Sequence, residues 1–264
     1  MSKNIIEVIS LTYKNIFKNF SIGIEQNKFI SISGPNNCGK TTLLRILDRQ
    51  IECLNTITIN NVKIEDYKIT DISTLIKTII PKEIIFINNT VEEELNFYLE
   101  QTNLPKEERQ KKYKKIIKEF KLTKILSKEL KCLTDKEIIK LQLAISISTI
   151  PKILLVDDIG IYFDKKEMQE IIDILKDYQK EDLTIIMVTS NLEEALKTDY
   201  MYVISESNIL IEGEPLEIIQ KDNIMNKAGL NLPFMIDLSV KLRDYDLVKV
   251  IEQDQERMVE LLWK

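Results

Sequence analysis

Nine residues, Gly34–Thr42, read GPNNCGKTT and fit the pattern G-x-x-x-x-G-K-[ST] of a loop that binds nucleotide phosphates. The preceding Lys28–Ser33 (KFISIS) predicts a strand, and the residues from Gly39 onward (GKTTLLRILDRQ) predict a helix. A strand, a glycine-containing loop and a helix N-terminus direct free N–H groups and the positive end of the helix dipole at an anion. The segment therefore predicts a phosphate site, with a chance match in an ordinary strand–helix turn as the alternative.

The residue types in this loop suit a magnesium nucleotide. Lys40 would place a cation at the β and γ phosphates, which makes it a catalytic candidate as well as a binding one, and the Thr41 hydroxyl would ligate Mg²⁺. Cys38 is more simply a small loop residue than a redox sensor. The other nucleotide-binding candidates supply backbone or small polar groups and are Gly34, Asn36, Asn37, Cys38, Gly39 and Thr42.

A second candidate site is Ile153–Asp158 (ILLVDD), an apolar strand that ends in two carboxylates. In a phosphate-loop fold the first of these carboxylates, Asp157, would help to hold Mg²⁺ beside Thr41. Asp158 would stand where a base could polarise a water molecule, so it is the main catalytic candidate. Taken alone, the same pattern is more typical of a strand that ends in a polar turn, but beside an intact phosphate loop the metal site is favoured.

Composition limits the other classes of function. The chain has 264 residues, 44% of them apolar, and a net charge of −5 with a pI near 5.2, which argues against nucleic-acid binding over a broad face. Basic residues gather in Lys106–Lys131, where a solvated helix face or a contact with an anionic surface would explain them. There are no histidines and only three isolated cysteines, so oxygen-ligated Mg²⁺ is the expected metal. No apolar run approaches the roughly 20 residues that a membrane-spanning helix needs.

The order of predicted elements indicates an α/β protein. Short strands surround the phosphate loop in Asn4–Asn61, including TITINNVKI with an Asn-Asn turn. Residues 91–149 have a helical pattern, and after them strands alternate with helices as in parallel βα units. A tail of helical pattern follows Gly213.

Several positions resemble the motifs of ATP-binding cassette (ABC) ATPases. Leu133–Glu137 (LTDKE) falls where that family carries its signature LSGGQ, and Pro151 and Asp157 follow at the usual intervals. Tyr13 lies where the family stacks an aromatic ring on adenine. Further matching positions are Phe163-Asp164, where Asp164 would make a cross-subunit contact, Thr189–Ala195, and the hairpin Asp199–Gly213.

This resemblance implies a fold and a division of the chain. The expected fold is an ABC-type P-loop NTPase core, in which helices flank a mixed, mainly parallel sheet, with an added antiparallel β subdomain. Residues 1–217 would form the nucleotide-binding domain, with an inserted helical subdomain at about 91–149. Residues 218–264 would form a C-terminal helical extension that serves in dimerisation.

The C-terminal segment indicates which branch of the ABC ATPases the chain resembles. Ala228–Phe234 (AGLNLPF), Leu238–Arg243 and Val259–Trp263 are similar to the C-terminal extension of energy-coupling factor (ECF) transporter ATPases, of which Thr90–Leu95 (TVEEEL) is also typical. Those ATPases work in pairs under a transmembrane coupling subunit, and the assembly moves a separate vitamin- or metal-capturing membrane subunit. The resemblance implies these partners, ATP and Mg²⁺ as cofactors, no nucleic acid, and a peripheral location on the cytoplasmic face of the membrane.

The chain departs from the family at positions that bear on hydrolysis. Asp158 replaces the catalytic Glu, which shortens its reach by about 1.5 Å. Ser190 replaces a histidine, Ile79–Glu83 has isoleucine where glutamine is expected, and the signature glycines are Asp135 and Lys136. Asp135 would set a carboxylate near phosphate unless Lys136 compensates.

In the loop itself, Asn37 stands where glycine is common, and asparagine tolerates the left-handed conformation that such a position needs. Compared with the family, the residues expected to bind nucleotide are therefore retained, whereas those expected to support hydrolysis are replaced.

Two readings of function follow, with a third ranked below them. The chain would be an ATPase subunit that drives a membrane importer, with weak activity at its own site and a paralogue as the second ATPase. Alternatively, it would be a pseudo-ATPase that binds ATP in a structural or regulatory role while the paralogue hydrolyses it. A soluble ABC ATPase acting on DNA or ribosomes ranks last, because no long insertion or broad basic surface is present.

Overall fold

The computed structural model describes residues 3–263. The strands are β1 Asn4–Tyr13, β2 Phe17–Glu25, β3 Phe29–Ser33, β4 Ile57–Ile59, β5 Val62–Lys63, β6 Ile76–Ile79, β7 Ile153–Asp157, β8 Thr184–Val188, β9 Tyr200–Ser205 and β10 Asn208–Gly213. The helices are α1 Lys40–Leu47, α2 Ile69–Leu75, α3 Val91–Glu100, α4 Lys106–Glu119, α5 Asp135–Ser148, α6 Lys165–Lys180, α7 Leu192–Ala195, α8 Pro215–Ile219, α9 Asp222–Lys227, α10 Phe234–Asp244 and α11 Gln255–Leu262.

The larger sheet has six strands in the order β10-β9-β3-β8-β7-β6, of which only β10 pairs antiparallel with its neighbour. Strands β3, β7 and β8 are buried at every residue because both faces of the sheet are covered. In β7, Ile153 and Leu155 pack into one apolar cluster, whereas Leu154 and Val156 pack into the cluster on the opposite face. Continuous apolar runs in the sequence reflect this two-sided burial.

The smaller sheet is antiparallel and has the strand order β2-β1-β4-β5. Its β4–β5 hairpin turns at Asn60 and Asn61, whose φ angles are 51° and 63°. Such a two-residue turn needs left-handed backbone at both positions, which asparagine tolerates better than most residues. The predicted Asn-Asn turn is confirmed, and the mixed sheet with an added antiparallel sheet is the predicted fold class.

Along the chain, helices α3, α4 and α5 lie between strands β6 and β7 of the larger sheet. Capping boxes begin α3 at Thr90 with Glu93, and α5 at Thr134 with Glu137. The three helices bury Leu95, Ile116 and Leu141 in a cluster shared with the core sheet. Helices therefore occupy the middle of the chain, where the sequence predicted them.

The C-terminal residues form four short helices. Ile218, Leu230 and Ile236 pack in a cluster with Met201 of β9, which attaches this part to the end of the core sheet. Phe234 and Trp263 are 74% and 86% exposed. Within residues 3–263, no helix is long and apolar enough to span a membrane.

Helix α2 and strand β6, in residues 69–79, were not among the elements predicted from the sequence. Strand β6 has only four residues (IKTI) and is flanked directly by Leu75 and Ile80, so no periodicity marks its ends. Pairing with β7 defines it as a strand.

Glu167, in the first turn of α6, joins that helix to α5. It accepts hydrogen bonds from Lys136 Nζ at 2.6 Å and Lys140 Nζ at 3.3 Å, and it completes a capping box with Asp164. These contacts, first that with Lys136, lower the pKa of Glu167 to about 2. The carboxylate therefore connects the segment that matches the family signature to the loop after β7.

We expect Glu167→Gln to lower the free energy of unfolding at pH 7 by about 1 kcal/mol, because it removes the charge from two ion pairs and one cap. Since the folded-state pKa is below the ordinary 4.5, the stabilisation is present above about pH 5 and disappears as the pH falls towards 2. Urea unfolding at several pH values measures the difference. Glu170→Gln on the same helix is the control, and a difference that does not change with pH would contradict this account.

Candidate functional site

The phosphate loop lies between β3 and α1, at the carboxyl edge of the core sheet. Asn37 and Gly39 have φ angles of 64° and 101°, so the loop uses left-handed backbone at both positions, as expected for Asn37. A Cβ at Gly39 would lie 2.4 Å from Ile16 Cγ2 and 2.9 Å from Phe17 Cζ. Glycine is therefore required there both by conformation and by the close approach of the β1–β2 turn.

Lys40 is folded into the loop. Its Nζ donates hydrogen bonds to the carbonyl oxygens of Gly34 and Pro35, both at 2.7 Å, and only 8% of the residue is exposed. A buried ammonium held by two neutral carbonyls has no carboxylate partner among these contacts. Its charge is therefore available to a phosphate anion that enters the loop.

The other loop residues present small groups towards solvent. Asn36 and Asn37 are exposed, and Thr42 is half-buried on α1. Burial raises the pKa of the Cys38 thiol, although nearby Lys40 opposes this shift. A thiol that stays protonated is a poor nucleophile, which agrees with a packing role for Cys38.

Thr41 and Asp157 meet where the loop helix begins and β7 ends. Thr41 Oγ1 donates a hydrogen bond of 2.6 Å to Asp157 Oδ2. Asp157 is 8% exposed, and burial raises the pKa of its carboxyl, as does the charge of Asp158, while the Thr41 hydrogen bond lowers it. A hydroxyl and a carboxylate side by side form a donor set of the kind that Mg²⁺ prefers.

These donors fit Mg²⁺ but would not complete its shell. Across residues 3–263 no group of three or more His, Cys, Asp or Glu side chains is arranged to hold a metal. Mg²⁺ characteristically keeps waters and takes phosphate oxygens as further ligands. The residues present therefore suit a metal that arrives with a nucleotide.

Asp158 directly follows β7 and has left-handed backbone with φ 42°. Its N–H donates to the carbonyl oxygen of Val188 at 2.9 Å, so the residue is tied to the end of β8. Ser190, two residues after β8, is exposed. The structure thus brings Asp158 and Ser190 to the edge that carries the phosphate loop.

The isoleucines in place of the expected glutamine are both buried, with Ile79 0% and Ile80 9% exposed. They offer no polar side-chain group to the edge of the sheet. The following turn is held by an ion pair between Glu83 and Arg45 of α1. The turn therefore contacts the loop helix, but through a residue other than the one that the family pattern uses.

Tyr13 ends β1 and is half-buried against the core cluster that contains β1, β2 and α1. The Lys14 ammonium lies 5.1 Å from the centre of its ring. Since the turn after Tyr13 contacts Gly39, the ring is on the same side of the molecule as the phosphate loop.

The segment that matches the family signature begins α5. Thr134 caps the helix, and Asp135 is exposed in its first turn. Lys136 is paired with Glu167 at 2.6 Å. Its charge is therefore directed at α6 rather than at Asp135.

A groove of about 500 Å³ opens elsewhere, between the two sheets. It is lined by residues that include Glu7, Lys28, Tyr200, Tyr202 and Glu212, and by none of the phosphate-loop residues. The groove and the candidate phosphate site therefore share no residues.

Sequence reasoning missed Glu194, whose buried carboxylate accepts a hydrogen bond from Thr189, the residue before Ser190. Asn191 caps α7, and Glu194 is three residues later. The spacing N-x-x-E at a helix start was the available signal, but it predicts a cap rather than a buried network.

Comparisons with known proteins agree with this geometry. Residues 17–159, more than half of the chain, match a family model described as ABC transporter. The chain is 26% identical over 241 residues to the energy-coupling factor transporter ATP-binding protein EcfA of Pediococcus pentosaceus, covering 88% of this chain and 86% of that protein. It is 27% identical over 252 residues to EcfA1 of Mesomycoplasma hyopneumoniae strain J, covering 94% and 91%.

Solved structures share the fold. The structure of cbiO1 from Clostridium perfringens, part of the ABC transporter complex cbiONQ, superimposes with a TM-score of 0.73 at 22% identity, covering 91% of this chain and 99% of that one. A dimeric ATP-binding cassette in a post-hydrolysis state, bound to ADP and Pi, gives 0.70 at 20% identity over 80% and 98%. With a family match across more than half of its residues, on a fold shared with solved ATP-binding cassettes, the chain belongs to the ABC transporter family.

Proposed function

We propose that this ATPase is a motor subunit of an ECF-type importer, in which binding and hydrolysis of MgATP drive the uptake of a vitamin or a metal ion. The observation that carries the proposal is the meeting of Lys40, Thr41 and Asp157 at one edge of the sheet. The names of the EcfA and EcfA1 relatives support the assignment to an energy-coupling factor transporter.

In this mechanism each residue has a distinct task. Lys40 leaves the carbonyls of Gly34 and Pro35 to bind the β and γ phosphates, and the loop N–H groups bind the phosphate oxygens. Thr41 and Asp157 would hold Mg²⁺, which would supply positive charge beside the phosphates. Tyr13 stacks on adenine. Asp158 orients the attacking water as a base.

Weak hydrolysis at this site follows from the substitutions. Asp158 reaches about 1.5 Å less far than Glu. A misplacement of about 1 Å can cost on the order of 100-fold in rate. Ser190 and the buried Ile80 supply no charged or long polar group to compensate. These same observations support the alternative, a pseudo-ATPase with a structural or regulatory role, whose paralogous partner hydrolyses ATP.

The apolar loop 84–88 suits a contact with a transmembrane coupling subunit. Ile85 and Ile87 are 83% and 64% exposed. Glu94, which is fully buried on α3, accepts hydrogen bonds from Ile87 N at 3.2 Å and from Asn88 N and Asn88 Nδ2, both at 2.8 Å. Glu94 thus anchors the loop while Ile85 and Ile87 face outward, as a docking site for an apolar segment requires.

The other proposed contacts involve the C-terminal extension. Phe234, Tyr245 and Trp263 are 74%, 78% and 86% exposed. Such large rings are common at the centres of protein interfaces. We assign residues 218–264 to pairing with a second ATPase subunit, and the chain to the cytoplasmic face of a membrane that also holds a substrate-capturing subunit.

Lys40→Ala should abolish the thermal stabilisation by MgATP, because it removes the cation from the phosphate site. Nucleotide at 100 times its dissociation constant stabilises a protein by about 2.7 kcal/mol. Differential scanning fluorimetry with and without MgATP measures the loss, and Lys166→Ala, at an exposed position of α6, is the control. Unchanged stabilisation of Lys40→Ala would contradict the assignment of the loop.

Asp158→Glu should raise the rate of ATP turnover by up to about 100-fold in the complex with the partner ATPase, if the shorter side chain of Asp158 is what limits hydrolysis. Steady-state phosphate release measures turnover, with Asp173→Glu on α6 as the control. Absence of any gain would show that Ser190 or the buried isoleucines limit the rate instead.

Glu94→Ala should accelerate amide hydrogen exchange at Ile87 and Asn88 by about 10- to 100-fold, since each hydrogen bond to a charged group contributes about 1.5–3 kcal/mol. Exchange elsewhere on α3 should change less. Glu100→Ala, at the exposed end of the same helix, is the control. Unchanged exchange in the loop would mean that Glu94 does not hold it.

A further inference from the structure

A second buried carboxylate, that of Glu194, lies close to the proposed hydrolytic site and has no task in the mechanism above. Glu194 is on α7 and is 7% exposed. Burying an ionised carboxylate is costly unless donors and packing compensate. The groups around it therefore indicate what the residue does.

On one side, Glu194 holds the loop after β8. Thr189 Oγ1 donates to Glu194 Oε2 at 2.7 Å, and Asn191 Nδ2 donates to Glu194 Oε1 at 3.1 Å. The N–H of Asn191 in turn donates to Thr189 Oγ1 at 3.0 Å. Both neighbours of Ser190 are thus fixed by one carboxylate.

The same loop is tied to the strand that leads into the phosphate loop. Ser33 Oγ donates to the carbonyl oxygen of Thr189 at 2.7 Å, and both residues are buried. The N–H of Thr189 donates to the carbonyl oxygen of Ile32 at 3.2 Å. The position of Ser190 relative to the phosphate loop is therefore set through Thr189.

On its other side, Glu194 touches the loop after β7. A Cβ at Gly160 would lie 2.0 Å from Glu194 Oε1 and 2.7 Å from Glu194 Cδ, so the Gly160 backbone packs directly on the carboxylate. Gly160 is two residues after Asp158, whose N–H is bonded to the end of β8. Glu194 therefore contacts both the loop that carries Asp158 and the loop that carries Ser190.

The electrostatics agree with this placement. Burial raises the pKa of the Glu194 carboxyl, and the charges of Asp158 and Glu193 raise it further, whereas the hydrogen bonds from Thr189 and Asn191 lower it. Asp158 is thus close enough for its charge to be felt at Glu194.

We propose that Glu194 is a positioning residue for ATP hydrolysis, which fixes the distance between Asp158 and Ser190 so that both face the terminal phosphate. This inference rests on the proposed function. A carboxylate that only stabilises the fold would lower the melting temperature when replaced but would leave discrimination between ATP and ADP intact. Replacing a positioning residue would reduce that discrimination, because only ATP has the γ phosphate that Asp158 and Ser190 would face.

Glu194→Gln tests the proposal in the full chain. Glutamine has nearly the same shape but loses the charge and one acceptor, so Asn191 and Thr189 cannot both donate to it as before. We expect ADP affinity to stay within about 2-fold, affinity for a nonhydrolysable ATP analogue with Mg²⁺ to fall about 10-fold, and turnover to fall on the order of 100-fold. Glu193→Gln, the adjacent residue paired with Lys165, is the control and should change none of these.

Gly160→Ala approaches the same contact from the other loop. Its new Cβ would collide with Glu194 Oε1, so the single variant should lose ATP discrimination as Glu194→Gln does. Removing the carboxylate in the double variant Gly160→Ala/Glu194→Ala should make room for the methyl group. The double variant should then be no worse than Glu194→Ala alone, and this non-additivity indicates direct coupling.

The outcomes separate this inference from the proposed function. Both the positioning role and the proposed function would be wrong if the wild-type chain bound no MgATP, or if Lys40→Ala bound MgATP as tightly as the wild type does. If the wild type discriminates ATP from ADP and Glu194→Gln retains full discrimination with only a lower melting temperature, the positioning role is wrong while the proposed function stands. Strictly additive losses for Gly160→Ala and Glu194→Ala would also overturn the positioning role.

Discussion

The hydrogen bond between Thr41 and Asp157 joins residues 116 positions apart, and the rest of the candidate site depends on the constraint that allows it. Strands β3, β8 and β7 are parallel neighbours, so their carboxyl ends lie along one edge of the sheet. The phosphate loop, the acidic strand end and Ser190 all follow these strands. Since each strand is buried on both faces, none can shift without disrupting two apolar clusters.

Carboxylates give this edge its shape as well as its charge. Glu94 fixes the apolar loop after β6, Glu167 joins α5 to α6, and Glu194 separates the loops after β7 and β8. Each of them accepts hydrogen bonds from at least two donors, which is how a protein offsets the cost of desolvating the charge. The segments to which we assign nucleotide and partner contacts are thus held by ionic groups as well as by apolar packing.

The pairing of Lys136 with Glu167 leaves Asp135 without the neutralising lysine that the sequence suggested. A lysine beside Asp135 could have neutralised that carboxylate, but its ammonium is held 2.6 Å from Glu167. Asp135 is therefore an exposed carboxylate in the first turn of α5. The positive end of the helix dipole stabilises a negative charge at this position.

The sequence by itself determined the phosphate loop, the strand that ends in Asp157, the Asn60-Asn61 turn and the α/β class, because each depends on local residue types or on the periodicity of burial. It did not reveal β6, whose four residues become a strand only by pairing with β7. It could not reveal the buried roles of Glu94 and Glu194 either. Their sequence context predicts ordinary helix starts, and only the tertiary structure brings distant backbone groups against their carboxylates, since the contacts of a buried charge depend on which loops meet there rather than on neighbours along the chain.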